Sequence, residues 1–303
     1  MAWYDQFDTE IARRLPELTV LREEPMAGHI TFRVGGPARR MARPASAGEL
    51  AALLDLCREK GWPTLLLGNG SNLLVPDGGL DRLVIHTAGL DRLEQTGEKS
   101  LRAEAGVSLA RLASFAQRLG LAGLEFAHGI PGSLGGGVCM NAGAYGGELC
   151  QVVERVEAWF PDEGVRTLTL PELDFGYRRS IFSHAPAVVL AAHFALTPGD
   201  PGEIRARMEE LIRRRREKQP LEYPSAGSTF KRPEGHFAGA LIEQCGLKGC
   251  RMGGAQVSEK HAGFVINAGG ATCADILALI GHIQATVEAE TGVRLEPEVR
   301  VVG

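Results

Sequence analysis

Glycine is concentrated in two stretches of this chain, 68–79 and 129–147, and that distribution limits what the fold can be. A backbone so often free of Cβ can turn sharply or lie close against another surface. Low-complexity disorder would give a similar count, but apolar residues interleave both stretches, so ordered loops that approach a ligand fit better. Gly68-Asn69-Gly70-Ser71-Asn72-Leu73 begins like a dinucleotide fingerprint and then departs from it. Leu73 holds the third glycine position, and LLVPDGG continues as a short strand and turn rather than a helix. No G-x-x-x-x-G-K-[ST] run exists, which excludes a P-loop. The remaining option is a nest, in which successive backbone N–H groups, with Asn and Ser side chains, bind a pyrophosphate without a cation. The second stretch repeats the chemistry: Gly129-Ile130-Pro131-Gly132-Ser133-Leu134-Gly135-Gly136-Gly137, then Asn141-Ala142-Gly143. Each loop alone reads more readily as a structural turn; the pair reverses that preference.

The 303 residues allow two or three domains of roughly 100–150 residues each. A net charge of −4 gives no basic field for nucleic acid. The six cysteines form no C-x-x-C pair and no metal-like spacing with histidine, so reduced, mostly buried thiols and no metal are expected. MAWYDQFDTEIARRL lacks the basic and apolar regions of a secretory signal, and no run of about 18 apolar residues occurs. The expectation is a cytoplasmic protein without a membrane partner.

Leu50, Leu53, Leu54 and Cys57 share one face of a helix over 49–60, ended by Gly61. Ser108 caps a second helix closed by Gly120. VERVEAWF, VRTLTL and AVVLAAHFAL read as strands, and TPGDPG (197–202) as a domain break. Beyond it come a helix carrying Ile204, Met208, Leu211 and Ile212, another over about 237–245, and a long one with Ile276, Leu279, Ile280, Ile283 and Val287 on one face. Thr272 with Asp275 makes a capping-box-like start to the last, and RLEPEVRVV reads as a final strand. The fold class is α+β.

Several separated motifs, in one order, resemble the UDP-N-acetylenolpyruvoylglucosamine reductases. They are TFRVGGPA (31–38), LLLGNGSNLLV (65–75), GIPGSLGGGVCMNAGAYGGE (129–148), DFGYRRS (174–180), PSAGSTFKRP (224–233), GLKGCRMGGAQVSEKHAGFVIN (246–267) and LEPEVR (295–300). The resemblance implies a two-subdomain FAD-binding region of vanillyl-alcohol-oxidase type, over 1–85 and 86–197, and a substrate-binding domain over 198–303. Non-covalent FAD would be held by Arg33, Val34, Gly35, Gly68, Asn69, Gly70, Ser71, Asn72, Leu73, Gly129, Ile130, Pro131, Gly132, Ser133, Gly135, Gly136, Asn141, Ala142 and Gly143. Longer members carry an extra substrate-covering segment between the arginine and serine motifs. Only fifty positions lie from Arg178 to Ser228 here, as in the shorter subclass.

The family's reaction implies that NADPH reduces the flavin and that the reduced flavin reduces the enolpyruvyl group of UDP-N-acetylglucosamine-enolpyruvate, giving UDP-N-acetylmuramate for the cell wall. Hydride arriving at the methylene carbon calls for groups that stabilise negative charge and for an acid that protonates the adjacent carbon. Ser228 matches the proton donor, where the competing role is a serine satisfying a turn. Arg178 matches a charge-stabilising position, although Arg179 beside it could form the same fork. Glu298 matches the third catalytic position; a period of two puts Glu296 on the same strand face, so spacing cannot choose between them. Glu298 would act as a protonated acid or by fixing a water. Tyr177, Arg215, Lys218 and Lys248 are the substrate-binding candidates, and a monomer or weak oligomer is expected. The competing enzyme class is a flavin oxidase of small alcohols or sugars. Many of these tether FAD through His or Cys; the first loop has neither, and His128 is the nearest candidate. A non-catalytic nucleotide-binding module would have lost the three catalytic residues.

Overall fold

The computed structural model describes residues 2–302, in two compact units each assembled from separated segments. The first takes the chain up to Arg22, Arg40–Asn69 and Arg82–Arg214; the second takes Glu23–Arg39, Gly70–Asp81 and the chain from Arg215 onward. Among the described residues no helix is long and apolar enough to cross a membrane.

In the first unit, α1 (Trp3–Arg14) buries Phe7 and Ile11. The helix read over 49–60 is α2 (Ala47–Lys60): the Ser46 side chain accepts from Glu49 N, Gly61 closes it at φ +65°, and Leu50, Leu53, Leu54 and Cys57 are buried. Ser108 caps α3 (Leu109–Arg118) in the same way. The three predicted strands form an antiparallel sheet in the order Gly164–Thr169, Val153–Phe160, Val188–Ala195, Ser100–Glu104, Leu93–Gly97. A four-stranded sheet takes Thr19–Pro25, Pro37–Arg43, Leu80–His86 and Thr64–Leu67 in that order, and the chain changes unit within the first three of these strands. One helix escaped the sequence reading: α4 (Leu134–Cys139), built largely of glycine, with Ser133 at its N-cap. A Cβ on Gly135 would stand 3.1 Å from that of Ala105, and one on Gly137 would stand 3.1 Å from Leu149. These glycines permit close packing, which outweighs their poor helix propensity.

The turn-rich segment 197–202 leads directly into α5 (Pro201–Lys218), and the change of unit falls inside that helix, between Arg214 and Arg215. In the second unit, α6 (Ala238–Gln244) and α7 (Cys273–Thr291) accompany a three-stranded antiparallel sheet, Arg251–Met252, Ala255–Val257 and Val265–Asn267. Ile276, Leu279, Ile280, Ile283 and Val287 of α7 are all buried, and α7 packs against the sheet. The expected capping box of Thr272 and Asp275 is present. Asp77, from the end of the first glycine stretch, adds acceptors for Cys273 N (2.8 Å) and Ala274 N (3.1 Å). The final strand is shorter than RLEPEVRVV suggested: Arg300–Val301 pairs in parallel with Leu73–Leu74, and an isolated bridge joins Pro297 to Phe230. The bridge is held by the N–H groups of Lys231 and Glu298, so it needs no donor from Pro297.

All six cysteines are free, but only Cys57 and Cys273 are buried. Burial pushes the Cys57 thiol up to about 12, and burial with the nearby Asp77 charge pushes Cys273 to about 11, so both stay protonated at neutral pH.

On the five-stranded sheet, Glu157 accepts from Arg102 Nε (2.8 Å) and Arg102 Nη2 (2.7 Å) and meets His193 Nε2 at 2.6 Å. The Arg102 guanidinium, and after it the His193 ring, hold the Glu157 carboxyl down at about 2, against the desolvation that would raise it. A depressed carboxylate contributes stability that is present above its unfolded value of 4.5 and is lost as pH falls through about 2. Glu157→Gln should lower stability at pH 7 by about 1–2 kcal/mol after solvent screening. It should also flatten the acid decline of Tm across that window, as read by thermal unfolding in a pH series.

Candidate functional site

Within the first unit the two glycine stretches meet. Asn69 Nδ2 donates to Pro131 O at 3.3 Å, and a Cβ on Gly68 would fall 2.1 Å from Ser133 Oγ. The second stretch is fastened along its neighbour: Leu109 N donates to Gly132 O (3.0 Å), Leu134 N to Val107 O (2.8 Å) and Gly135 N to Ala105 O (2.8 Å). Part of the backbone expected to form a nest is turned to the protein here. The N–H groups of Leu134 and Gly135 are consumed by protein carbonyls, as is that of Ala142 by Gly137 O (2.8 Å), and the backbone turns into α4. What this loop offers a phosphate is the Ser133 hydroxyl, 2 % exposed and without a hydrogen-bond partner. His128 Nδ1 is likewise buried without a partner, and burial pushes its pKa down, favouring the neutral ring.

Asn141, also counted with the cofactor loops, has its side chain occupied by the protein. Its Nδ2 donates to Glu148 Oε2 (3.0 Å) and to Gly176 O (3.2 Å), and its Oδ1 accepts from Cys150 N (3.0 Å). It is 1 % exposed and sits at φ +41°. Asn tolerates that left-handed backbone better than most residues. Its partner Gly176 opens the turn that carries Tyr177 and Arg178. Gly176 and Arg179 exchange backbone bonds of 3.1 and 3.3 Å, leaving Tyr177 and Arg178 at the two corners. Arg178 holds φ +55°, which costs a residue with a Cβ about 1–2 kcal/mol. Its guanidinium donates to Gly143 O (3.2 Å) and lies over the Tyr177 ring, 5.2 Å from the centroid. Arg179 is distinguished from it: its nearest carboxylate is Asp174, at 3.7 Å, and its side chain is largely exposed.

Within the second unit the TFRVGG segment, the rest of the first glycine stretch, Ser228 and Glu298 come together. Thr31 N donates to Gly70 O (3.1 Å), and Gly36 N to Pro76 O (2.9 Å). Gly70 at φ +58° lies so close to His29 that a Cβ would stand 2.1 Å from its carbonyl. Arg33 adopts φ +56° and Gly35 φ +104°, with Val34 buried between them. Glu298 N donates to Thr229 O (2.8 Å), beside Ser228, while Glu298 O accepts from Asn72 Nδ2 (3.0 Å). The exposed Ser228 donates from Oγ to Phe230 O at 3.3 Å. Burial now separates the two candidate carboxylates: Glu296 is exposed and ion-paired with Lys231, and Glu298 is half-buried. Leu73 is a strand residue opposite Arg300, and Ser71 is half-buried between Gly70 and Asn72. Thr229 was missed by sequence reading. It is buried, its N–H bonds Gly263 O (2.8 Å) and its Oγ1 accepts from Val265 N (2.9 Å). Its place beside the serine in PSAGSTF was the available signal. Of the remaining substrate candidates, Arg215 is half-buried, Lys218 is exposed at the end of α5, and Lys248 Nζ bonds Glu243 Oε1 at 2.6 Å.

Two family descriptions match the chain: an FAD binding domain over residues 38–169, and the UDP-N-acetylenolpyruvoylglucosamine reductase C-terminal domain over 219–302. The UDP-N-acetylenolpyruvoylglucosamine reductase of Pediococcus pentosaceus is 49% identical over 296 residues, 98% of each chain. That of Clostridium beijerinckii is 46% identical over 303 residues, 100% of this chain and 99% of its own. The chain belongs to the UDP-N-acetylenolpyruvoylglucosamine reductase family. The crystal structure of the family member from Thermus caldophilus superposes with a TM-score of 0.79 at 36% identity, covering 94% of this chain and 99% of that one. The expected α+β architecture with an FAD-binding region stands.

The glycine stretches fit a flavin dinucleotide. Within the first unit the Ser133 hydroxyl is buried without a protein partner beside Gly68; within the second, taken by itself, the Thr31 hydroxyl is buried without one and Thr31 N bonds Gly70 O. Hydroxyl and backbone donors of this kind suit a pyrophosphate. Asn141 serves the same region by holding the Tyr177–Arg178 turn. Replacing it by Leu leaves Gly176 O, Cys150 N and Glu148 without their partner, so Asn141→Leu should lower unfolding stability by about 2–4 kcal/mol in denaturant titrations.

Proposed function

We propose that this chain reduces the enolpyruvyl group of UDP-N-acetylglucosamine-enolpyruvate to UDP-N-acetylmuramate, using non-covalent FAD and taking hydride from NADPH. Family membership supports the reaction and sets the oxidase reading aside. The observation that carries the assignment of residues is the 2.8 Å bond from Glu298 N to Thr229 O, which holds the carboxylate residue beside the serine segment. The product places the enzyme in peptidoglycan precursor synthesis, and so in cell-wall growth, shape and division. UDP-linked precursors of this kind are cytoplasmic substrates, and a cytoplasmic monomer or weak oligomer is part of the reading. So is the division into flavin subdomains over 1–85 and 86–197 and a substrate domain over 198–303.

In this reading Arg33–Gly35, the 68–73 stretch and the 129–136 loop hold the cofactor, with Ser133 hydroxyl and backbone groups toward its pyrophosphate and Ala142 and Gly143 nearby in the chain. FAD, when bound by these residues, would supply hydride transfer between NADPH and the enolpyruvyl double bond. Negative charge then develops at the adjacent carbon and its carboxylate. Arg178, held at a fixed corner of its turn, supplies a permanent positive charge for that carboxylate. Ser228 delivers the proton to carbon. Its present bond to Phe230 O is long for a hydroxyl donor, so the hydroxyl is easily redirected to another acceptor. A serine is a poor acid in water, but a carbanion-like centre is a strong base and the pairing is matched. Glu298 acts on the substrate carboxylate side, as an acid or by orienting a water. Tyr177, Arg215, Lys218 and Lys248 bind the rest of the substrate. The part-exposed Lys248–Glu243 pair is weak enough to exchange for a phosphate.

Under anaerobic conditions, NADPH should bleach the flavin absorbance of the purified protein, and the enolpyruvyl substrate should restore it. Recovery by oxygen alone would overturn the assignment. Ser228→Ala should leave the bleaching nearly intact and slow the recovery by roughly 10²–10⁴-fold. Recovery at the parental rate would remove Ser228 from the mechanism.

A further inference from the structure

Asn69, Asn72 and Asn141, the asparagines of the glycine stretches, all point their amides at the protein, and for Asn72 the target is the segment that carries Glu298. Asn72 Nδ2 donates to the backbone carbonyl of Glu298 at 3.0 Å, and the Asn72 carbonyl accepts from Arg300 N at 3.0 Å. One residue of the cofactor loop therefore grips the main chain on both sides of Val299, which is buried. From the opposite side Glu298 N is fixed to Thr229 O, and Thr229 is in turn fixed to Gly263 and Val265. Glu298 thus has both of its backbone polar groups engaged, one toward the serine segment and one toward the flavin loop. An isolated loop asparagine would satisfy its amide in solvent or on its own turn. This one spends it across a sequence separation of 226 residues.

We infer that Asn72 is a positioning residue: its side-chain amide sets the height and rotation of the Glu298 backbone, and hence where the Glu298 carboxylate stands. The inference rests on the role given to Glu298 above. The Asn72 backbone belongs to the stretch that holds the cofactor, while its side-chain amide acts on the reaction through Glu298. Loss of the amide donor frees the Glu298 carbonyl, while the Arg300 and Thr229 bonds keep the strand paired. The result is a small displacement rather than unfolding. A shift of about 1 Å in a catalytic group slows a reaction on the order of 10²-fold.

The test is a double-mutant cycle of Asn72→Asp and Glu298→Gln, followed by anaerobic stopped-flow on flavin-loaded enzyme. Asp keeps the shape of Asn and turns its donor into a second acceptor facing a carbonyl. Asn72→Ser, shorter and uncharged, is read in parallel in case Asp impairs folding. Expected are a Tm within the spread of surface variants and, compared at equal flavin loading, flavin reoxidation by the enolpyruvyl substrate slowed on the order of 10²-fold, with flavin reduction by NADPH affected far less. The double variant should be no slower than Glu298→Gln alone, since a residue acting through Glu298 has nothing left to position. Losses that multiply would overturn the inference by showing that Asn72 acts apart from Glu298. Flavin content and both half-reactions falling together would overturn it in favour of a direct flavin contact. Glu298→Gln reoxidised at the parental rate marks a different failure, that of the role assigned to Glu298, and is read from that single variant.

Discussion

The segment around 296–302 is hydrogen-bonded alternately to two different neighbours, and the chemistry of the second unit depends on that double attachment. Lys231 N reaches Glu296 O and Glu298 N reaches Thr229 O, after which Arg300 N turns to Asn72 O and Val302 N to Leu74 O. A strand shared in this way cannot slip by one residue without breaking bonds on both sides, and such a slip would turn every side chain to the opposite face. Glu298 sits where the attachment passes from one neighbour to the other. Its separation from the serine segment and from the cofactor loop is thus set by backbone geometry, with side-chain packing adding only the final orientation.

The glycine stretches owe their composition to contact distance more than to flexibility. Gly36, Gly70 and Gly79 lie against backbone of Asp77, His29 and Pro37, with an added Cβ 2.1–2.3 Å from a carbonyl oxygen in each case. Gly68 lies against the Ser133 hydroxyl. Part of the second stretch is a short helix packed on neighbouring backbone, and Ser133 at its start carries a buried hydroxyl.

The periodic elements were legible because local rules determine them. Ser46, Ser108 and Thr272 cap the helices they were expected to cap, and the apolar faces of α2 and α7 are the buried ones. Helix α4 was illegible because tight packing overrides the poor propensity of three consecutive glycines. Motif order identified Ser228, Arg178 and Glu298 as candidates, where spacing alone left Glu296 beside Glu298; in the fold Lys231 occupies the first, and the second is drawn partly inside. The asparagines were ambiguous for a physical reason. An Asn beside glycine has the same donors whether it faces a phosphate or a carbonyl of its own chain, and only tertiary contacts tell the two apart. Arg178 was chosen by motif position, and its strained turn gives that choice a local basis which neither charge nor spacing supplied.

The threading of the chain also bears on how the protein is made. The second unit draws on residues 23–39 and 70–81 as well as on everything from Arg215 onward. Its early segments must therefore wait through the synthesis of most of the first unit before their partners exist. A contact such as that between Asn72 and Glu298, 226 residues apart, belongs to the slow, non-local class of folding events. The first unit, with its own sheet and continuous core, can consolidate during that interval. The Glu298 carboxylate is then among the last groups to find its place, so a nascent chain that has already acquired most of its structure still lacks the pairing that fixes it.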